Sequence, residues 1–317
     1  MLGDQITQVR SFNRAVTQRV GALDGSFLDR GRPLGEARLL YEIGPDGAEV
    51  RRLREKLALD SGYLSRLLRS LERQELIRLL ESAADARVRR AVLTSKGRSE
   101  LEEYDRRSDV FAQSLLGPLS PARRDRLVTA MADVERLLRA AAVEIRAAKA
   151  DSPDAVGCLE RYSRDLAKRF EGGYDPQKTR PVSAGEVTPP SGCLVVARLD
   201  GEPIGCGALK IGPDRVGEIK RMWVDGAVRG LGVGRRILET LEEHARGYGL
   251  SLLRLDTNRT LTQAQALYRS SGYRETAPFN DEPYAHYWFE KTLEPASPSP
   301  SPQTVEGKTK RGLPDRG

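Results

Sequence analysis

Cysteine, histidine and long apolar runs are scarce in this chain, and each scarcity narrows what the protein is. Only Cys158, Cys193 and Cys206 occur in 317 residues, widely scattered, so no disulfide framework is implied and packed or idle thiols are expected. His244 and His286 are the only histidines, no Cys/His cluster has metal-ligand spacing, and no metal is expected. No apolar run is long enough to span a bilayer, and Met1-Leu2-Gly3-Asp4 lacks the basic and apolar regions of a secretion signal, so a cytoplasmic protein with no membrane partner is expected. What is present is 39% hydrophobic and 31% charged residues, the balance of a globular protein with room for two cores. The net charge of +7 permits nucleic-acid binding without requiring it, because many arginines stand beside acids on helical faces.

Two textures divide the chain. Apolar residues recur at helical spacing near 5–22, 33–43, 48–57, 60–74, 95–116 and 120–142, interrupted by a hairpin pattern at 76–93. After about Val143, strand patterns at 143–147, 193–199, 203–210, 216–224, 251–257 and 284–292 mix with helical ones near 154–170, 232–247 and 261–271, which predicts a mixed α/β domain. The expected boundaries are 1–142, 143–294 and a Pro/Ser-rich tail, 295–317, read as disordered because little in it can be buried.

In the first part, Val50, Leu53 and Leu57 form one apolar stripe, and Asp60 stands at the N-cap of a following helix. Leu59 and Leu64 are placed for a hydrophobic staple. Leu64, Leu67, Leu68 and Leu71 face a core, while Ser61, Tyr63, Ser65, Arg66 and Arg69 share the opposite face. Such a face suits a major groove, where arginine donates twice to guanine; an ordinary amphipathic helix is the alternative. Arg78, Arg87, Arg89 and Arg90 on the hairpin favour DNA, since a basic hairpin beside such a helix reaches phosphates or the minor groove. Asp60 to Arg78, Asp85-x-Arg87 and Leu93-Thr94-x-x-Gly97 resemble the recognition helix and wing of the MarR family of bacterial regulators, over roughly residues 5–142. The resemblance implies a winged helix-turn-helix and a homodimer formed through the N-terminal and last helices. It further implies a double-stranded, pseudo-palindromic DNA operator, with Asp85 orienting Arg87 for a minor-groove contact and the protein on the nucleoid when bound.

In the second part, the strand pattern Val216–Val224 runs into Arg229-Gly230-Leu231-Gly232-Val233-Gly234 and then a helical pattern. Glycines let amide groups approach an anion at a helix N-terminus, where a pyrophosphate fits. Glycines at 230, 232 and 234 do not have the Gly-x-Gly-x-x-Gly spacing of a dinucleotide-binding domain. With Asn258, Ala264, Leu267-Tyr268 and Gly272-Tyr273 in order behind it, the Arg-x-x-Gly-x-Gly run resembles the GNAT superfamily of N-acetyltransferases over about 143–293. Leu261 stands where many members have asparagine. The resemblance implies an α/β fold with a mixed, mostly antiparallel sheet and acetyl-CoA as co-substrate. It assigns Met222, Val224, Arg229, Gly230, Leu231, Gly232, Val233, Gly234 and Asn258 to the cofactor, and makes Tyr268 the acid toward the departing thiolate, a core tyrosine being the alternative. Glu218 stands where the histone-acetylating branch has its base; a salt bridge to Lys220 or a nearby arginine is equally open. Tyr174-Asp175 and Phe279–Tyr284 are loop-like candidates for an acceptor pocket. The combined expectation is a regulator that also acetylates a primary amine by direct attack, the alternatives being a regulator whose second domain only senses acyl-CoA and a first half that is only a dimerisation scaffold.

Overall fold

Helical spacing gives way to strand alternation after Val143, and the fold divides into two units, one running to Val143 and including Leu199–Glu202, the other holding the rest from Glu144. The computed structural model describes residues 2–81, 89–179 and 183–294. The hairpin tip with Asp85 and Arg87, and the tail 295–317, lie outside the described residues.

The first unit runs α1 (Leu2–Arg19), α2 (Leu34–Ile43), β1 (Ala48–Glu49), α3 (Val50–Lys56), α4 (Ser61–Arg73), β2 (Ile77–Glu81), β3 (Arg89–Leu93), α5 (Ser95–Leu116) and α6 (Pro121–Ala142). Its strands form an antiparallel sheet in the order β1-β3-β2. The helix expected over 48–57 starts two residues late, because Ala48 and Glu49 pair with Ala91 and Arg90. That edge pairing gives their backbone groups partners that a first helical turn leaves unmade. Leu39, Leu40 and Ile43 of α2, Leu53 of α3, Leu64, Leu68 and Leu71 of α4, and Ile77 and Leu93 of the hairpin close one core. Each buried leucine contributes about 2 kcal/mol by removal from water. Asp60 caps α4, its carboxylate accepting from the Tyr63 amide at 2.8 Å, a cap worth about 1 kcal/mol. A polar network closes one side: Glu100 accepts from Arg30 at 2.9 and 2.7 Å and from Arg32 at 2.6 Å, and Arg32 also donates to Gln74. By contrast, α1 and α6 contain no fully buried residue.

The second unit runs β4 (Glu144–Ala148), α7 (Pro153–Arg169), β5 (Gly192–Leu199), β6 (Glu202–Ile211), β7 (Val216–Val224), α8 (Val233–Gly247), β8 (Leu252–Thr257), α9 (Thr262–Ser270), β9 (Arg274–Thr276) and β10 (Tyr287–Thr292). One seven-stranded sheet has the order β4-β5-β6-β7-β8-β10-β9. The pairs β4–β5, β6–β7, β8–β10 and β9–β10 are antiparallel, and β7–β8 is parallel. Strand β9 was not expected, and β10 begins later than the 284–292 pattern suggests, because Tyr284 to His286 turn into a loop first. Trp223, Cys206 and Ala208 pack with Ala155 and Cys158 of α7. All three cysteines are buried, and burial lifts the Cys193 thiol to about 11.

Two features of β7 shape the middle of the sheet. It pairs with β8 only from Val216–Glu218 to Leu252–Arg254, after which the parallel strands part company while β8 continues beside β10. It also carries one extra residue against β6, at Arg221, whose φ of 57° lies in the left-handed region. That extra residue is a β-bulge.

Candidate functional site

Where β7 and β8 separate, the sheet opens into a groove of about 480 Å³ lined by Met222, Trp223 and Val224, the turn after β7, and Leu267 and Tyr268 of α9. The turn works through its backbone. Gly230 and Gly232 have φ of 82° and 71°, a region that costs other residues free energy, and Gly232 is the left-handed N-cap of α8. No side chain caps this helix. Among the described residues the amides of Gly230, Gly232, Val233 and Gly234 have no acceptor. Arg229, Arg235 and Arg169 line the same groove. Free amides at a helix N-terminus with three guanidinium groups nearby make a cradle for a polyanion such as a pyrophosphate.

Of the residues assigned to the cofactor from sequence, Met222, Val224, Arg229, Gly230, Gly232, Val233 and Gly234 line the groove. Leu231 does not: its side chain is buried and its amide points to the Val228 carbonyl at 3.5 Å. Asn258 does not either. Its side-chain amide donates to the Tyr284 carbonyl at 2.8 Å, and its oxygen accepts from the amide and hydroxyl of Thr260, so it fastens a loop. Arg235 and Arg169 went unremarked in the sequence; Arg235 directly follows the glycine turn and is the easier of the two to find there.

A second, smaller cavity of about 100 Å³ continues from the groove. The two share Tyr162, Met222 and Tyr268, so Tyr268 stands at their junction. Burial, and then the Asp256 charge, push the Tyr268 phenol above the usual tyrosine range. Its ring packs 6.0 Å from those of Tyr273 and Phe289, and its hydroxyl has no hydrogen-bond partner among the described residues. One wall of the small cavity is aromatic: Tyr174 lies 5.7 Å from Phe170, 5.2 Å from Tyr284 and 6.3 Å from Tyr162, centre to centre. Both loops suggested from sequence reach this cavity, through Tyr174 and through Glu282 and Tyr284.

The opposite wall is charged. Lys220 donates to Asp256 at 2.5 Å, and Asn280 donates to the same carboxylate oxygen at 3.2 Å while accepting from the Trp288 indole at 2.8 Å. Glu218 lies 3.6 Å from Lys220 and does not line the cavity. The carboxylate that faces the cavity beside Lys220 is therefore Asp256, which sequence reasoning missed. Strand alternation offered a signal: Leu253, Leu255 and Thr257 are buried on one face of β8, which leaves Asp256 on the other.

In the first unit, Ser61, Tyr63, Ser65, Arg66 and Arg69 are all exposed on α4, and Arg89 is exposed at the base of the hairpin. The Arg66 guanidinium lies over the Tyr63 ring at 5.6 Å, and Arg69 donates to the Ser65 carbonyl at 3.2 Å. Ser61, Ser65 and Arg89 line a shallow concavity with Arg51 and Arg54 of α3. Arg90 is committed elsewhere, donating to the carbonyls of Asp46 and Gly47. Among the described residues no helix is long and apolar enough to cross a membrane, and no three His, Cys, Asp or Glu residues gather as metal ligands do.

Residues 159–273 match the model of the Acetyltransferase (GNAT) family. An IAA acetyltransferase of Azospirillum brasilense is 37% identical over 122 residues, which is 38% of this chain and 75% of that protein. An N-alpha-acetyltransferase RimI of Mycobacterium tuberculosis is 33% identical over 129 residues, 38% of this chain and 79% of the relative. Among solved structures, an acetyltransferase of the GNAT family from Staphylococcus aureus Mu50 is 18% identical, with a TM-score of 0.42, over 48% of this chain and all of that one.

Proposed function

The chain belongs to the Acetyltransferase (GNAT) family, with acetyl-CoA as its donor, and from that premise we propose that its second unit acetylates a primary amine by direct attack. One observation carries the proposal: the cradle-bearing groove and the aromatic cavity meet at Tyr268. Acetyl-CoA lies in the groove, its pyrophosphate on the amides of Gly230, Gly232, Val233 and Gly234 and its pantetheine arm along Met222 and Val224. The amine enters from the small cavity. Its nitrogen bonds to the acetyl carbon, the carbon–sulfur bond breaks, and the sulfur leaves as thiolate. The Tyr268 phenol, kept protonated by its surroundings, gives the thiolate a proton. The proton lost by nitrogen passes to Asp256, which Lys220 and Asn280 hold in place, with Glu218 behind Lys220 in the same charged row.

Thiol release from acetyl-CoA, measured with a panel of amines, tests this. Turnover by the wild type, with loss of rate in Tyr268→Phe and Asp256→Asn at unchanged acetyl-CoA affinity, is expected. Binding of acetyl-CoA without turnover of any amine would favour the other reading, in which this unit only senses acyl-CoA.

The first unit is proposed to bind a double-stranded DNA operator as a MarR-like winged helix. Support comes from the capped helix α4 with Ser61, Tyr63, Ser65, Arg66 and Arg69 on one exposed face, followed by an antiparallel hairpin that carries Arg89. Asp85 and Arg87 belong to the same proposal. A homodimer is part of it: Ile6, Val9, Phe12 and Val16 of α1, and Val128, Met131 and Leu138 of α6, are exposed apolar residues that a second copy would cover. The proposed place of action is the cytoplasm, on the nucleoid when DNA is bound. Mobility shift with the DNA upstream of the gene, against Arg66→Ala and Arg87→Ala, tests it; equal, salt-sensitive binding by all three proteins counts against it.

A further inference from the structure

The wall of the cavity beside Tyr268 carries a guanidinium whose hydrogen bond runs to a phenol and not to a carboxylate, among the described residues. Lys220 is matched by Asp256 at 2.5 Å. Glu282 also lies on the wall, and it takes part in an interaction. The half-buried Arg221 guanidinium has no carboxylate partner among the described residues: Nη1 donates to the Tyr174 hydroxyl at 2.9 Å, and the group lies 5.8 Å from the centre of the Tyr162 ring. Guanidinium stays charged at any ordinary pH, so the charge is not relieved by losing a proton. Holding it away from water without a counter-charge costs free energy. The backbone adds a second cost, since Arg221 occupies the bulge with φ 57°. A left-handed backbone and a guanidinium bonded to a phenol, at one residue on a cavity wall, suit a ligand-binding group.

We infer that Arg221 holds the anionic end of the acceptor, so that the substrate is a small amine that also carries a carboxylate or phosphonate. The planar fork of donors suits the oxygens of either group. The aromatic wall keeps that contact dry and strong. A cavity of about 100 Å³ admits few atoms besides the amine and the anion. This inference rests on the acetyl-transfer reading for the fate of the amine, though not for the anion site itself.

The test uses the full chain and matched acceptors: glycine, β-alanine and 2-aminoethylphosphonate against ethylamine and propylamine, followed by thiol release. Anionic acceptors should exceed neutral ones in kcat/KM by about 30-fold, the weight of one charge-assisted contact. Arg221→Gln should bring that ratio close to one, chiefly through KM for the anionic set, and Arg221→Lys should restore part of it. Whichever of the carboxylate and phosphonate acceptors has the lower KM identifies the anion. In parallel, calorimetry on acetyl-CoA-saturated protein should detect propionate or methylphosphonate with the wild type and neither with Arg221→Gln. Neutral amines used as well as anionic ones, a preference that survives in Arg221→Gln, or no anion binding to the wild type overturns the inference. Arg221-dependent anion binding with no amine acetylated would instead sink the transfer reading and leave the anion site standing.

Discussion

Replacing Tyr268 by phenylalanine removes one oxygen and tests the chemistry directly. The ring contacts to Tyr273 and Phe289 survive, and the hydroxyl has no protein hydrogen bond among the described residues to lose. The fold should therefore change by less than about 1 kcal/mol. The chemical step should lose far more, roughly 10²–10⁴-fold, if this phenol protonates the thiolate. Its pKa is raised by burial and by Asp256, so the acid form persists to higher pH than in a free tyrosine. Wild-type kcat should accordingly show no fall from phenol ionisation up to about pH 10. Single-turnover thiol release from pH 6 to 10, with calorimetry for acetyl-CoA affinity and thermal melts for stability, reads all three quantities. A variant that keeps more than about a third of the wild-type rate, with normal affinity and stability, would refute the acid role and make Tyr268 a wall residue.

Gly232→Ala should weaken acetyl-CoA binding about tenfold, since alanine pays about 1–2 kcal/mol at the φ of 71° that aims the cradle amides; unchanged affinity by calorimetry would remove the turn from the site. If the first unit binds DNA as proposed, Arg66→Ala should lower the salt slope of that binding by about one and weaken all sequences alike where it meets a phosphate, whereas a loss confined to one base step would mean base contact. Glu100→Ala should destabilise the first unit by about 2–3 kcal/mol, because Arg30 and Arg32 lose their acceptor. Glu100 is held below its ordinary value of 4.5, first by the Arg30 hydrogen bond, so its contribution is complete above pH 4.5 and is lost as pH falls through the depressed pKa. Melts between pH 2 and 6 should show a shallower acid loss in Glu100→Gln than in the wild type.

The parts legible in the sequence are those governed by short-range rules. Asp60 before an apolar-periodic run identified the start of α4, and the observed cap bond is the physical reason. The glycines at 230 and 232 mark the turn because left-handed backbone selects glycine; the strand patterns indicate a mixed α/β domain, and the mostly antiparallel sheet is what the family resemblance implies. The bonds of Asn258 to Tyr284 and Thr260 are not legible in the sequence, because only the folded chain brings these groups together. Strand β9 was missed because three residues, Arg274 to Thr276, carry too little pattern to register alone and exist as a strand only beside β10. The aromatic wall draws on α7 and two separate loops, so no local spacing announces it.

The choice of acid beside the acceptor turns on a single inserted residue. Simple alternation along Glu218-Ile219-Lys220-Arg221-Met222 puts Glu218, Lys220, Met222 and Val224 on one face, which makes Glu218 a neighbour of the groove. The bulge breaks that count. Cys206 faces Trp223 across the ladder, while Ala208, the next residue on the same face of β6, faces Lys220, and Lys210 faces Glu218. Glu218 and Lys220 thus share a face with Trp223, and Met222 and Val224 turn to the other. Lys220 then spans from Glu218 to Asp256, and Arg221, the inserted residue, has no counterpart on β6 and is free to enter the cavity. Removing the bulge by deleting Arg221 should return Glu218 to the face of Met222 and abolish the cavity's charge pattern together. The places of Glu218 and Arg221 are consequences of the same irregularity, and the alternation of β7 read alone predicts neither.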